Sequence, residues 1–460
     1  MENFNLKNLK NKTVHFIGIG GISMSALALI LKANGVNVQG SDESRNYEVI
    51  KLQKKGVKVF EFHHKKNILN ADVVVYSSAI SDDNPELAHA RKKNLLIMKR
   101  AELLGVVAAL YKNVISIAGS HGKTTTAAMI SEMFIRCGLR PTIHVGGELN
   151  LIKSNYKLGN KKFFITESCE YKDNYLFIEP DISLILNIDE DHLDYFKNLD
   201  GVKLSFLKYA EKTKAGGVLI ACQDDENSAE LLKREESVSF GIDKKADIRA
   251  ANIKEYKPSY FAFDVIFAKY KLGEIRLNIA GRHNVYNALA VVLVGIGCGI
   301  DFCDIKKSIE CFSGVKRRCE FISDSAGFSV FHDYAHHPKQ IQCMIGAARK
   351  LVDNKEGKVI AVFEPHTYSR TKFLIKEFSA SFKQADNVIF APVYSAREHP
   401  TEGYDSLKLF NETKKFNDNV EYLESYDEIY KRIFEIAKKG DVVMILGAGS
   451  IEMLAAKFKQ

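Results

Sequence analysis

The sequence predicts an α/β protein made of three consecutive doubly wound units, each a parallel sheet covered by helices. Three observations predict it. Short β-branched strands alternate with apolar helical stretches along the chain, the pattern that parallel sheets require. Glycine turns follow strands directly at Gly18–Gly21, Gly119–Gly122 and Gly447–Gly449, the places where open α/β sheets bind ligands. The 460 residues, at roughly 100–200 per domain, allow two to four domains, with three the central value.

The first unit opens with a strand over 13–17 (TVHFI), a turn at Gly18 and an apolar helix over 24–31. A strand over 36–39 ends in Gly40-Ser41-Asp42. Strands follow at 57–60 and 72–76, the latter running into Ser77-Ser78-Ala79-Ile80. A helix over 84–94 leads to a strand over 95–98, and the unit ends near Tyr111. The second unit begins with the strand 114–118, which opens into Gly119-Ser-His-Gly-Lys-Thr-Thr-Thr126 and an apolar helix to Arg136. Strands at 163–166, 182–186 and 217–221 follow, with helices near 201–211 and 283–297 and a strand-rich insertion over 247–280. The third unit starts after Gly314-Val-Lys-Arg-Arg318, with strands at 329–333, 359–363, 387–391 and 441–446. The expected domains are therefore 1–111, 112–315 and 316–460.

Composition bounds the function. A net charge of +8 and a 46% hydrophobic content exclude disordered and collagen-like chains. The cations are spread rather than blocked, which suits anionic small molecules and calls for no nucleic acid. Eight cysteines without a CxxC are expected to be reduced and mostly buried. Cys298, Cys303, Cys311 and Cys319 have no zinc spacing. The N-terminal residues lack an apolar signal region, and the longest apolar run, 288–300, is shorter than the ~20 residues of a bilayer span. A cytoplasmic protein without membrane insertion is expected.

The strongest chemical signal is Gly119-Ser120-His121-Gly122-Lys123-Thr124-Thr125. A strand feeds a glycine loop whose N–H groups surround phosphate at a helix N-terminus. Lys123 would reach the β/γ-phosphates and Thr124 would ligate Mg²⁺. The loop is shorter than GxxxxGK[ST], which would need glycine where Ile117 stands. At the first turn, Gly18, Gly20 and Gly21 allow close approach of a nucleotide diphosphate, Ser23 takes the place of the third glycine of GxGxxG, and Asp42 ends the second strand where a ribose-binding acid belongs. Glu170 and His192 follow strands of the central unit, and a carboxylate with an imidazole there can hold a second Mg²⁺. Taken alone they also read as a solvated loop carboxylate and a capping histidine. Asn284 and Asn287, at i and i+3, share a helix face and suit adenine or ribose, or helix capping. Arg317-Arg318 can neutralise a transferring phosphoryl group, or form surface charge.

In combination, HFIGIGGISMS, SSAI, NPE, AGSHGKTTT, NIDEDHLDYF, GRHNVYNALA, GVKRR, HDYAHHP, FEPHTYSRT and GDVVMILGAGS resemble the Mur ligase family of cell-wall synthesis, nearly end to end. The resemblance implies a Rossmann-like UDP-sugar domain, a central P-loop ATPase with a parallel sheet, and a C-terminal Rossmann-like domain closing on ATP and the amino acid. It implies ATP-dependent ligation of L-alanine to the carboxylate of UDP-N-acetylmuramate through an acyl phosphate, by a monomer or weak homodimer. Sites follow residue by residue. Gly18, Gly20, Gly21, Ser23, Asp42, Ser77 and Ser78 would bind the UDP-sugar. Thr124, Glu170 and His192 would hold metal, and Arg318 or Arg317 would meet the γ-phosphate. Asp333 would bind nucleotide, with His336 and His337 near the reaction centre, His337 entering as the candidate catalytic group. His366 and Arg370 would face the muramyl carboxylate and amino acid. One segment and two single positions depart from the family. Its acidic EADESD is Glu167-Ser-Cys-Glu-Tyr-Lys172 here, Phe206 stands where relatives carry a carbamylated lysine, and Thr367 replaces a common arginine. Other readings are a tripeptide-adding recycling ligase, a nicotinamide-dependent oxidoreductase and a non-catalytic ATP sensor.

Overall fold

The computed structural model describes residues 9–77, 79–257, 259–324, 326–352, 357–395, 398 and 405–459. Ser78 lies outside them. The chain forms two compact units. The first comprises Met1–Ile253, Phe263–Arg276 and His283–Phe312, and the second Lys254–Ala262, Leu277–Arg282 and Ser313–Gln460.

The described residues form three sheets, and the α/β class is as the sequence predicts. In the first sheet five parallel strands lie in the order Lys58–Phe60, Asn37–Ser41, Thr13–Ile17, Val73–Tyr76, Leu96–Lys99. The order reverses beside Thr13–Ile17, which puts the first glycine turn at a switch point, where a crevice opens. The second sheet holds Asn113–Ala118 between Ile182–Ile185 and Phe163–Glu167, all parallel. Beyond Ile182–Ile185 come Val218–Cys222 and Ser237–Gly241, then the insertion strands Ile248–Lys257, Tyr260–Phe267 and Tyr270–Arg276. The other edge is the antiparallel hairpin Thr142–Leu149 and Ser154–Lys157. The third sheet runs Glu320–Ser323, Ser329–Asp333, Val442–Leu446, Val359–Phe363, Asn387–Phe390, Val420–Tyr422.

Strands covered on both faces read as unbroken apolar runs. Val359–Phe363 (VIAVF) and Val442–Leu446 (VVMIL) are buried at every position. Strands that carry polar residues show no such run, which explains why Thr142–Leu149, Ser154–Lys157, Ser237–Gly241, Glu320–Ser323 and Val420–Tyr422 escape a reading based on apolar runs. One compositional expectation is corrected. All eight cysteines are free, but Cys222 alone is buried, while Cys169, Cys303, Cys311 and Cys343 are exposed. The exposed ones sit on loops and in or beside helices rather than in the strands that fill the cores.

Candidate active site

The central strand Asn113–Ala118 is buried beyond its first residue and delivers the chain to Gly119 at the sheet's carboxyl edge. Gly119 and Gly122 have φ of 136° and 84°, values that glycine alone adopts readily. Space also requires glycine here. A Cβ on Gly119 would lie 3.1 Å from Leu186 Cβ, and one on Gly122 would lie 2.8 Å from Asn287 Oδ1. Gly122 caps the helix Lys123–Arg136, so its free N–H groups face the loop. The segment after Ile182–Ile185 clamps this loop. Ser120 N–H donates to Asn187 O (3.1 Å), His121 N–H to Asn187 Oδ1 (2.8 Å), Asn187 Nδ2 to His121 O (3.1 Å), and Asp189 N–H to Ser120 Oγ (2.9 Å). A left-handed Cβ costs roughly 1–2 kcal/mol before the clash with Asn287 is counted, so Gly122→Ala is expected to weaken ATP binding about tenfold or more, read as Kd by titration.

Lys123 folds back over the loop. Its Nζ donates to Ser120 O (3.3 Å) and to Glu170 Oε1 (3.0 Å). Burial disfavours the ammonium, but the Glu170 carboxylate outweighs it and raises the lysine's pKa. Glu170 is 1% exposed, which overturns the reading as a solvated loop carboxylate. Its second oxygen, Oε2, is buried without a protein partner. His192 Nε2 lies 4.0 Å from Glu170 Oε1, and ligand atoms of Glu170, Asp191 and His192 all lie within 4.8 Å of one another. An orphaned carboxylate oxygen beside a second carboxylate and an imidazole fits a divalent cation. His192 has φ 53° and stacks near Tyr171, ring centroids 4.7 Å apart. Lys172 and Asp173 are also left-handed, so non-glycine strain gathers around this cluster. Thr124 Oγ1 donates to Glu167 Oε2 (2.8 Å), and Glu167 Oε1 accepts from Gly146 N–H (2.6 Å). Thr125 lies one residue on in the same helix. Asn287 Nδ2 donates to Asn284 Oδ1 (2.9 Å), and both amides are buried. Their shared face is therefore real, and it meets the phosphate loop at Gly122.

At the first turn, Gly18 has φ 77°, and its N–H and that of Ile19 donate to Ser41 O. A Cβ on Gly20 would lie 2.8 Å from Val49 Cγ2. Gly21 caps the helix Ile22–Ala33. Both Asp42 oxygens serve the turn: Oδ2 accepts from Gly20 N–H (2.8 Å), and Oδ1 from Ser44 N–H (3.0 Å) and Ser44 Oγ (2.7 Å). Ser23 Oγ bonds His144 Nε2 at 2.9 Å. Ser77 follows the neighbouring strand Val73–Tyr76.

The second unit gathers the remaining candidates. Arg317 is engaged within it: Nη1 pairs with Glu452 (2.9 Å), and Nη2 donates to Gly447 O and Gly449 O (both 3.1 Å). Arg317 thus holds the Gly447–Gly449 turn, while the Arg318 guanidinium carbon lies 5.2 Å from the Tyr334 ring. Asp333 accepts from Cys319 N–H and Ala335 N–H, both at 2.7 Å. His336 and His366 stand 6.0 Å apart by ring centroids, and Arg370 Nη1 lies 3.1 Å from His366 Nδ1. Burial, then Arg370, lowers the pKa of His336 to about 3 and that of His366 to about 4, so both rings are neutral near pH 7. His337 stands at the N-cap position of the helix Pro338–Leu351 without a side-chain cap hydrogen bond, and Thr367 caps Tyr368–Phe373.

These features match known proteins. The family description "Mur ligase family, catalytic domain" fits residues 13–112, "Mur ligase middle domain" 117–295 and "Mur ligase, glutamate ligase domain" 317–449. A UDP-N-acetylmuramate–L-alanine ligase of Caldanaerobacter subterraneus subsp. tengcongensis is 41% identical over 98% of this chain and 97% of its own. The chain belongs to the Mur ligase family. A ligase of the same name from Clostridium tetani is 42% identical over 96% of both chains. The structure of UDP-N-acetylmuramate-alanine ligase MurC from Thermotoga maritima superposes with a TM-score of 0.82 at 27% identity, covering 97% of this chain and 98% of that one. A murein peptide ligase from Psychrobacter arcticus (TM-score 0.73, 24% identity, 97% and 98% covered) shares the fold.

In this Mur ligase Phe206 is fully buried beside Tyr175, ring centroids 5.5 Å apart, so a phenyl ring occupies the position that the resemblance associates with a carbamate. Nearby Lys203 pairs outward with Glu230 at 2.8 Å. Sequence reasoning passed over Asp191 as a ligand, Asn187 as the loop's clamp, and the Ser23–His144 pair. Asp191 and Asn187 stand within the quoted run NIDEDHLDYF, six and two residues after a strand end, which is the signal that could have found them.

Proposed function

We infer that this Mur ligase joins L-alanine to the carboxylate of UDP-N-acetylmuramate with hydrolysis of ATP to ADP and phosphate, in peptidoglycan precursor synthesis. The observation that carries this is the near-full-length identity with ligases of that name, together with a glycine loop that holds Lys123 against Glu170. The murein peptide ligase shares the fold at 24% identity, whereas ligases named for L-alanine are 41% and 42% identical over nearly the whole chain, which favours L-alanine. Family membership replaces the oxidoreductase and sensor readings.

The residues 1–111, 112–315 and 316–460 then divide the work into sugar-nucleotide, ATP and amino-acid binding. The loop 119–125, with Asn284 and Asn287, seats the nucleotide. The substrate carboxylate attacks the γ-phosphorus as the bond to the β-phosphate oxygen breaks, giving ADP and an acyl phosphate. The amine then attacks the acyl carbon, the C–O bond to phosphate breaks, and the nitrogen gives up a proton. Lys123 and Arg318 neutralise charge on the transferred oxygens. Glu170, Asp191, His192 and Thr124 would hold Mg²⁺, which supplies further charge neutralisation when bound. His337, at the start of its helix, is the candidate to take the amine proton, since burial and Arg370 leave the neighbouring His336 a weak base. Glycine-turn residues 18–23, with Ser77, Ser78 and Asp42, take the UDP-sugar, and His366 and Arg370 the carboxylate and amino acid. Among the described residues no helix is long and apolar enough to cross a membrane, in keeping with a cytoplasmic reaction. Purified protein given Mg-ATP, UDP-N-acetylmuramate and L-alanine is expected to release ADP and form one new amide. Release that requires a tripeptide instead of L-alanine would favour the recycling reaction.

A further inference from the structure

Glu170 follows the strand Phe163–Glu167, whereas Asp191 and His192 follow Ile182–Ile185. These strands are not neighbours, because Asn113–Ala118 lies between them, and two strand spacings amount to roughly 10 Å. Glu170 stands three residues past its strand and His192 seven past its own. Backbone pairing therefore stops short of both, and side chains beyond the strand ends must set one half of the cluster against the other.

One hydrogen bond spans the gap. Tyr195 Oη donates to Asp173 Oδ2 at 2.6 Å. Each of these two residues is tied to a residue of the cluster three positions earlier in the chain. Asp173 N–H donates to Glu170 O and Tyr195 N–H to His192 O, both at 2.9 Å. The Tyr171 ring packs on the same side, with its centroid 4.7 Å from that of His192 and 6.2 Å from that of Tyr195. Asp173 is itself anchored. Its Oδ1 accepts from Ser205 Oγ on the helix Leu199–Glu211, and the buried Tyr175 hydroxyl donates to that Ser205 oxygen at 2.8 Å. Asp173 and His192 are both left-handed, with φ of 57° and 53°. Such conformations persist where surrounding contacts over-determine them, and the two short turns joined by the Tyr195–Asp173 bond do so here.

Resting on the reading that Glu170, Asp191 and His192 hold Mg²⁺, we propose that Asp173 and Tyr195 form a latch that sets the spacing between the two halves of that site. They are positioning residues, acting through Glu170 and His192 rather than on the cation. Hydrogen bonds that orient metal ligands in this way govern affinity as well as geometry.

Titration of the intact protein with Mn²⁺ alone, followed by the electron paramagnetic resonance of the free ion, tests the latch. Tyr195→Phe removes one oxygen and no charge, and keeps the ring against Tyr171. It is expected to weaken Mn²⁺ binding about tenfold or more, the usual cost of losing such a partner, while the Kd for metal-free ADP stays at the wild-type value. Unchanged Mn²⁺ affinity overturns the proposal, and so does an equal loss for metal-free ADP, which would mark general damage to the nucleotide site. If Tyr195→Phe does not fold, Ser205→Ala decides, since it frees Asp173 from its anchor at constant charge. Mn²⁺ binding about threefold weaker is then expected, and unchanged binding overturns the latch. Glu170→Gln guards the underlying reading: if it binds Mn²⁺ as the wild type does, or if the wild type binds none, the metal site falls and the latch with it.

Discussion

Replacing Lys123 by alanine is expected to cut ADP release about a thousandfold or more, because the cation that we propose meets the transferring phosphoryl group is lost. The same change should destabilise the protein. Glu170 is 1% exposed and pairs with Lys123 at 3.0 Å. Removing one partner of a buried ion pair leaves an uncompensated charge, at about 3–5 kcal/mol in buried cases. The double variant Lys123→Ala/Glu170→Ala is therefore expected to regain much of that stability while staying inactive. Coupled ADP-release assays and thermal unfolding on the same preparations separate the two effects. A Lys123→Ala protein with wild-type turnover would remove the phosphate loop from the mechanism.

Glu86→Ala should destabilise the protein strongly. Glu86 and His15 are fully buried in the first sheet's domain. The carboxylate accepts from His15 Nε2 (3.1 Å), Ser41 Oγ (2.5 Å), Asn67 Nδ2 (2.6 Å) and His64 N–H (3.2 Å). Burial opposes its ionisation, yet the bonds from His15, His63 and Ser41 prevail and depress its pKa strongly. Truncation orphans several donors at once, at a cost of about 3–5 kcal/mol. The pH dependence has two limbs. A depressed carboxylate stabilises above its ordinary value near 4.5 and loses that contribution as pH falls through the depressed folded value. His63, raised first by its bond to Glu86, stabilises fully below 6.5 and loses the contribution as pH rises through its raised value. Urea unfolding from pH 3 to 9 should show both limbs in the wild type and flatter ones in Glu86→Gln. Equal slopes in the two proteins would show that this cluster is not their source.

The comparison of sequence with structure turns on what each residue needs from its neighbours. Gly119 and Gly122 were legible because a strand, two glycines and a lysine stand together in the chain, and the backbone geometry follows locally. Asn284 and Asn287 were legible through helical spacing. Glu170 was harder. Nothing near it in sequence shows that it is buried, since Lys123, its partner, lies 47 residues away. Arg317 and Arg318 are adjacent in sequence, yet the fold sends the first into the Gly447–Gly449 turn. Likewise, His336 packs near His366, while the next residue, His337, opens the helix that begins at Pro338. His144 carried no motif at all. Its chemistry depends on Ser23, which reaches it across 121 residues of chain.

The sequence by itself therefore determined the α/β class, the alternation of strands and helices, and the placement of two glycine turns at strand ends, because apolar period and backbone conformational freedom are local properties. Only the tertiary structure decided which charges are paired and which imidazoles stay neutral. Those outcomes depend on burial and on through-space electrostatics between strands far apart in the chain, and neither is written at any one position.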